Sequence, residues 1–322
     1  MIAPLRLALM AALLAALPSA AVAQGQPSTP EHPRLTVQAL RAKYQDARSR
    51  YMVIKGTEIH YKDEGKGPVL FLVHGSQSSL RTWDRITQLL KGRYRIIRYD
   101  IPAYGLSASV SDEVATTVNP VDIPEELLTR LNVKKATVVG VSSGGTMGMY
   151  LAARRPDLVE RLILSNTPSD PVKTDHLKMP ESFLAAQADA QRTKYQNLTF
   201  WNEYLSYFSG DPKRISAKTR AEYYDFNRRA NEKYPIAMVA RIGDGKQATI
   251  EMAKVTAPTF LIWGTGDPLL PKSAADAIER YLANAPISVA LMPDIGHYPP
   301  LEVPDRFARL IAEYIETIVP KP

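Results

Sequence analysis

Cysteine is absent from this 322-residue chain. That excludes a disulfide framework, a thiol nucleophile and any Cys-ligated metal site, so stability must come from an ordinary apolar core. Beyond residue 23 no apolar run is long enough for a membrane helix, so stable membrane insertion of the mature chain is not expected. Charge of one sign is never gathered into a block. The formal net charge is +7, but the basic residues are interspersed with acids, which reads as a solvated basic surface and gives nucleic-acid binding no motif support.

What is present begins with a leader pattern. In residues 1–23, Arg6 supplies a positive start, residues 7–17 a short apolar core, and Ala21-Val22-Ala23 a small-residue cleavage site. Cleavage after Ala23 and export to the periplasm or medium are expected. Removing the only charged residue of that segment, Arg6, leaves +6. Residues 24–50 are polar, contain Pro27, Pro30 and Pro33, and read as an N-terminal extension leading into a short helix.

From Tyr51 the pattern becomes regular. Two short strands flank the turn Lys55-Gly56-Thr57-Glu58, and Val69-Leu70-Phe71-Leu72-Val73 is wholly apolar, as expected of a strand buried on both faces. Helix and strand patterns then alternate through 51–168 and again through 243–322, which predicts a mostly parallel central sheet flanked by helices, an α/β fold. Between them, 169–242 breaks the alternation. It is helix-like and dense in aromatics, including Tyr195, Phe200, Trp201, Tyr204, Tyr207, Phe208, Tyr223, Tyr224, Phe226 and Tyr234. This segment is expected to be an inserted helical cap, with most rings packing on one another and a few facing a cleft.

Candidate chemistry falls just after predicted strands. Gly140-Val141-Ser142-Ser143-Gly144 lies between the strand pattern at Ala136 to Val139 and a helical run. A serine hydroxyl is a poor nucleophile unless held out of the sheet beside a base and backbone N–H donors, and a Gly-x-Ser-x-Gly turn does this sterically. A Gly/Ser turn feeding a helix would read the same way on its own. His74-Gly75-Ser76 follows Val73. The N–H of Ser76, or of Gln77, would face the reaction centre and pair with that of Ser143 as an oxyanion hole, whereas His74 is expected to be structural. Gly264-Thr265-Gly266-Asp267 and Gly296-His297 follow two later strands. Serine, acid and histidine thus come in the order Ser142, Asp267, His297.

With these motifs the chain resembles the α/β-hydrolase fold family with a helical cap, a group that includes esterases, carbon–carbon bond hydrolases, epoxide hydrolases and haloalkane dehalogenases. The resemblance runs from about Tyr51 to the C-terminus and extends to Asp100-Ile101-Pro102-Ala103-Tyr104-Gly105-Leu106-Ser107 and Glu302-Val303-Pro304. Ala103 departs from it, since the family usually has glycine there. The resemblance implies a Ser142–His297–Asp267 triad needing neither metal nor organic cofactor. Serine at the elbow argues against dehalogenase or epoxide hydrolase chemistry, because those relatives use aspartate.

Carboxylester hydrolysis is the first expectation. Carbon–carbon or lactone cleavage, haloperoxidase-like perhydrolysis and non-catalytic ligand binding are the alternatives. The partner is expected to be a small-molecule substrate with an apolar part. Residues 173–246 hold 13 Lys/Arg against 9 Asp/Glu, which favours an acidic substrate, although a solvated helical surface explains the surplus equally well.

Overall fold

The computed structural model describes residues 29–169, 172–229 and 245–317. The expected leader and the expected cap boundary at 242 lie outside these residues, as does Tyr234. Eight strands form one sheet: β1 (Arg50–Ile54), β2 (Thr57–Glu64), β3 (Val69–Val73), β4 (Arg95–Tyr99), β5 (Ala136–Val141), β6 (Val159–Ser165), β7 (Thr259–Gly264) and β8 (Ile287–Met292). Their order is β1-β2-β4-β3-β5-β6-β7-β8. The β1–β2 and β2–β4 pairs are antiparallel and the remaining neighbours parallel.

Because side chains alternate along a strand, both faces of the central strands must be covered. Phe71 and Val73 of β3 join one apolar cluster with Leu127, Met147, Leu151 and Ile278, from helices Asp122–Arg130, Ser143–Arg154 and Lys272–Tyr281. Leu70 and Leu72 enter the opposite cluster with Ile86, Phe307 and Ile311, from helices Asp84–Leu90 and Pro304–Thr317. The all-apolar sequence of β3 follows from that sandwich.

Helices Glu181–Thr193, Leu198–Phe208 and Ala217–Asn227 lie between β6 and β7 in the chain. Their side chains form a separate apolar cluster that includes Phe183, Phe200, Trp201, Leu205, Phe208 and Tyr223. Their aromatic packing is thus largely internal to the cap.

The N-terminal extension is more than a linker. Its helix Val37–Tyr44 buries Leu40 completely against Leu106 and Phe226. Lys43 Nζ and Tyr44 Oη reach Asp225 Oδ2 at 2.5 and 2.6 Å, and the Pro33 carbonyl accepts from Tyr195 Oη and Arg228 Nη1. Arg41 Nε donates to the Leu106 carbonyl at 3.0 Å. Residues 33–44 therefore strap the last described cap helix to the core.

Candidate active site

Four neighbouring parallel strands deliver four side chains to one end of the sheet. Ser142 follows β5, Asn166 follows β6, Asp267 comes three residues after β7, and His297 lies on the loop after β8. In open α/β sheets the carboxyl ends of strands form the crevice, because the connections diverge there.

Ser142 has φ +53° and ψ −133°, outside the regions that residues with a Cβ ordinarily occupy. The turn survives because its neighbours are small: a Cβ on Gly140 would lie 2.5 Å from the Gly144 carbonyl, and one on Gly144 would lie 2.3 Å from the carbonyl oxygens of Val73 and His74. The Ser142 N–H is tied to the Ser165 carbonyl at 3.0 Å. Ser143 opens the next helix, so its N–H has no intrahelical acceptor. No acceptor among the described residues takes the N–H of Ser76, whose Oγ lies 3.0 Å from Ser143 Oγ. Both expected oxyanion donors therefore lie side by side with N–H groups to spare.

His297 Nδ1 lies 2.6 Å from Asp267 Oδ2, and both side chains are almost fully buried. A buried carboxylate at this distance fixes the proton on Nδ1 and leaves Nε2 as the free lone pair. Asp267 is fixed in turn, accepting from Asn166 Nδ2 at 2.9 Å and from the Leu269 N–H at 2.8 Å. Asn166 also clamps β7, exchanging bonds with the carbonyl and N–H of Gly264. The His297 N–H donates to Phe208 O at 2.7 Å, and buried Glu302 accepts from the N–H groups of Gly210 and Gly296. These bonds join the histidine loop to the end of a cap helix; burial pushes the Glu302 carboxyl above its ordinary value.

Ser142 and His297 line one cavity together with Ser76 and Ser143. No hydrogen bond joins Ser142 to His297, as is common in unliganded sites, where such bonds tighten only around substrate. Apolar walls come from Val141, Pro168, Val172 and Leu269, and the cap contributes Tyr204 and Tyr223. Tyr298 completes a phenol cluster edge-on to His297, with ring centroids 5.1 Å apart. Burial drives all three hydroxyls upward, Tyr223 to about 12. They are neutral donors near neutral pH. An open groove sharing Pro168, Val172 and Leu269 with the cavity carries Lys173, His176 and Arg280.

His74 is structural, as expected: its Nε2 accepts from the Ile101 N–H at 2.9 Å, its Nδ1 lies 2.7 Å from the Gly75 carbonyl, and burial lowers its basicity. Asp100 is another internal anchor. Burial alone would raise its carboxyl, but contacts from His60, His74 and the Leu106 N–H outweigh it and hold the group below the usual range. Ala103 takes φ +67° where glycine would be at ease, held by Ala103 N–H to Ala108 O and by Arg229 Nη1 to Ala103 O. Sequence reasoning missed Asn166, the anchoring role of Glu302 and the place of Tyr298. Only the Glu302-Val303-Pro304 motif carried a signal for any of them.

A family model described as alpha/beta hydrolase fold matches residues 68–304. The chain is 27% identical to the pimeloyl-[acyl-carrier protein] methyl ester esterase of Nitrosomonas europaea, over 77% of this chain and 96% of that protein. It is 28% identical to haloalkane dehalogenase 2 of Mycobacterium tuberculosis, over 82% of this chain and 94% of the relative. A 2-hydroxy-6-oxononadienedioate/2-hydroxy-6-oxononatrienedioate hydrolase of Burkholderia vietnamiensis is 25% identical over 84% and 96%.

Proposed function

Because the chain belongs to the alpha/beta hydrolase fold family, we propose that it is an exported serine hydrolase cleaving a small carboxylic ester through an acyl-enzyme. The observation that carries this reading is the buried Asp267–His297 contact at the wall of a cavity that also holds the strained Ser142. In the proposed cycle His297 Nε2 takes the Ser142 hydroxyl proton as Oγ attacks the ester carbonyl. Asp267 keeps the ring in the right tautomer and stabilises the imidazolium that forms. The N–H groups of Ser76 and Ser143 receive the oxyanion. His297 then protonates the departing alcohol, and water repeats the sequence to release the acid.

The relatives support hydrolytic chemistry and divide over the bond cleaved. The dehalogenase bears on this chain through its fold, since serine stands at the elbow here. The esterase and the dioate hydrolase keep ester and carbon–carbon cleavage both in view, and the mainly apolar walls suit a substrate with an apolar part in either case. The groove beside Lys173 and Arg280 is where an acidic tail would run.

A panel of p-nitrophenyl esters, lactones and vinylogous diketones, run on wild type and Ser142→Ala, tests the proposal. Ester turnover is expected to dominate and to fall by about 10⁶-fold in the variant, the loss seen when a triad nucleophile is removed. Near-normal activity in Ser142→Ala would sink the mechanism, and dominant diketone cleavage would replace the substrate class. Export is tested by the mature N-terminus, expected at Gln24.

A further inference from the structure

Gln77 follows the expected oxyanion donor Ser76 and is 6% exposed, yet among the described residues its buried side-chain Oε1 has no hydrogen-bond partner. Its backbone is left-handed, at φ +59°, with the carbonyl held by Asn227 Nδ2 from the cap at 2.8 Å. A buried amide oxygen without a partner and a left-handed glutamine are each unfavourable, and features of this kind cluster at active sites and ligand clamps.

The surroundings say which ligand. Gln77 lines both the main cavity and a small side pocket, and Ser78, Thr82 and Tyr223 line both spaces as well. Tyr223 Oη donates to Ser78 Oγ at 3.1 Å, and Ser78 Oγ lies 2.5 Å from Thr82 Oγ1, so this end of the cavity is a run of hydroxyls. Among the described residues the charged ones lining the side pocket are Arg81 and Glu222, which neutralise each other at 2.7 Å. An anion gains little there, and an aliphatic chain would bury the amide unsatisfied. A hydroxyl both donates and accepts, so it satisfies the amide in either orientation.

We propose that the Gln77 end of the cavity recognises a hydroxyl carried a few atoms from the scissile carbonyl, making hydroxylated esters the preferred substrates. The proposal rests on the serine-hydrolase reading and narrows its substrate class. The hydroxyl can belong to the acyl or to the alcohol part.

Two substrate pairs distinguish these sources: p-nitrophenyl 3-hydroxybutyrate against p-nitrophenyl butyrate, and 2-hydroxyethyl butyrate against propyl butyrate. In wild type at least one pair should favour the hydroxylated member about tenfold or more in kcat/KM, and Gln77→Leu should bring that ratio to within about twofold of unity. Gln77→Asn tolerates the left-handed backbone but is one methylene shorter, and should also lose most of the preference. Parity in both pairs with wild type, or a preference that survives Gln77→Leu, overturns the proposal. If no ester is turned over at all, the hydrolase reading has failed separately. Calorimetric binding of 3-hydroxybutyrate and butyrate to wild type then decides, with at least tenfold tighter binding of the hydroxy acid expected and equal binding contradicting it.

Discussion

Beneath the cavity, Asn166, Asp267 and His297 sit on successive strand ends and are tied by directional bonds of 2.6 and 2.9 Å. Above it, Trp201, Tyr204 and Phe208 of the cap are held mainly by ring packing, with centroids 4.8 to 5.2 Å apart. A hydrogen-bonded floor fixes angles and proton positions, as charge development at a carbonyl requires. Aromatic packing fixes volume and polarity, and tolerates exchange of one ring for another. On the proposed reading, reaction type belongs to the floor, and substrate choice to the roof and to the Gln77 wall between them.

This division can be broken at either level. The largest floor effect after loss of the nucleophile is expected from Asp267→Asn, which keeps the shape but stabilises the wrong tautomer of His297; kcat should fall by about 10⁴-fold with the fold intact. Asn166→Ala removes the bond to the Asp267 carboxylate together with both bonds to Gly264, and should lower kcat by about 10- to 100-fold with little change in KM, as steady-state kinetics on a p-nitrophenyl ester would record. A rise in KM alone would move Asn166 out of the floor.

Asp225→Ala tests the roof. It removes the carboxylate that Lys43, Tyr44 and Arg228 share where the strap meets the cap, and should cost roughly 1–3 kcal/mol in denaturant unfolding. KM should rise while kcat stays within about threefold, since no floor bond is touched. A collapse of kcat would show that the strap governs the floor too.

The two regions were also unequally legible in the sequence. The sheet, and the loops that bring Ser142, Asp267 and His297 to one end of it, could be read because each depends on residues close in the chain: an apolar run of five, a glycine two residues away, a loop just after a strand. Asn166 could not be read, because its partner Asp267 is 101 positions away and asparagine after a strand has many uses. The strap was hidden for the same reason, with Lys43 meeting Asp225 across 182 positions. Cap aromatics announced a helical cap by composition, but which rings reach the cavity depends on how helices cross. Tyr204 and Tyr223 do so while Phe183 and Phe200 pack within the cap. The cap's basic surplus gave little direction. Arg192, Arg214 and Arg228 are already paired with acids.

The whole proposed chemistry depends on Ser142 being an activated nucleophile. Intact-mass and peptide analysis after treatment with a fluorophosphonate measures it most directly. One phosphonyl adduct per chain is expected, on the peptide containing Ser142, formed rapidly in wild type, absent in Ser142→Ala and slowed severely in Asp267→Asn. Folded wild-type protein that takes up no label, or carries it on another residue, would contradict it.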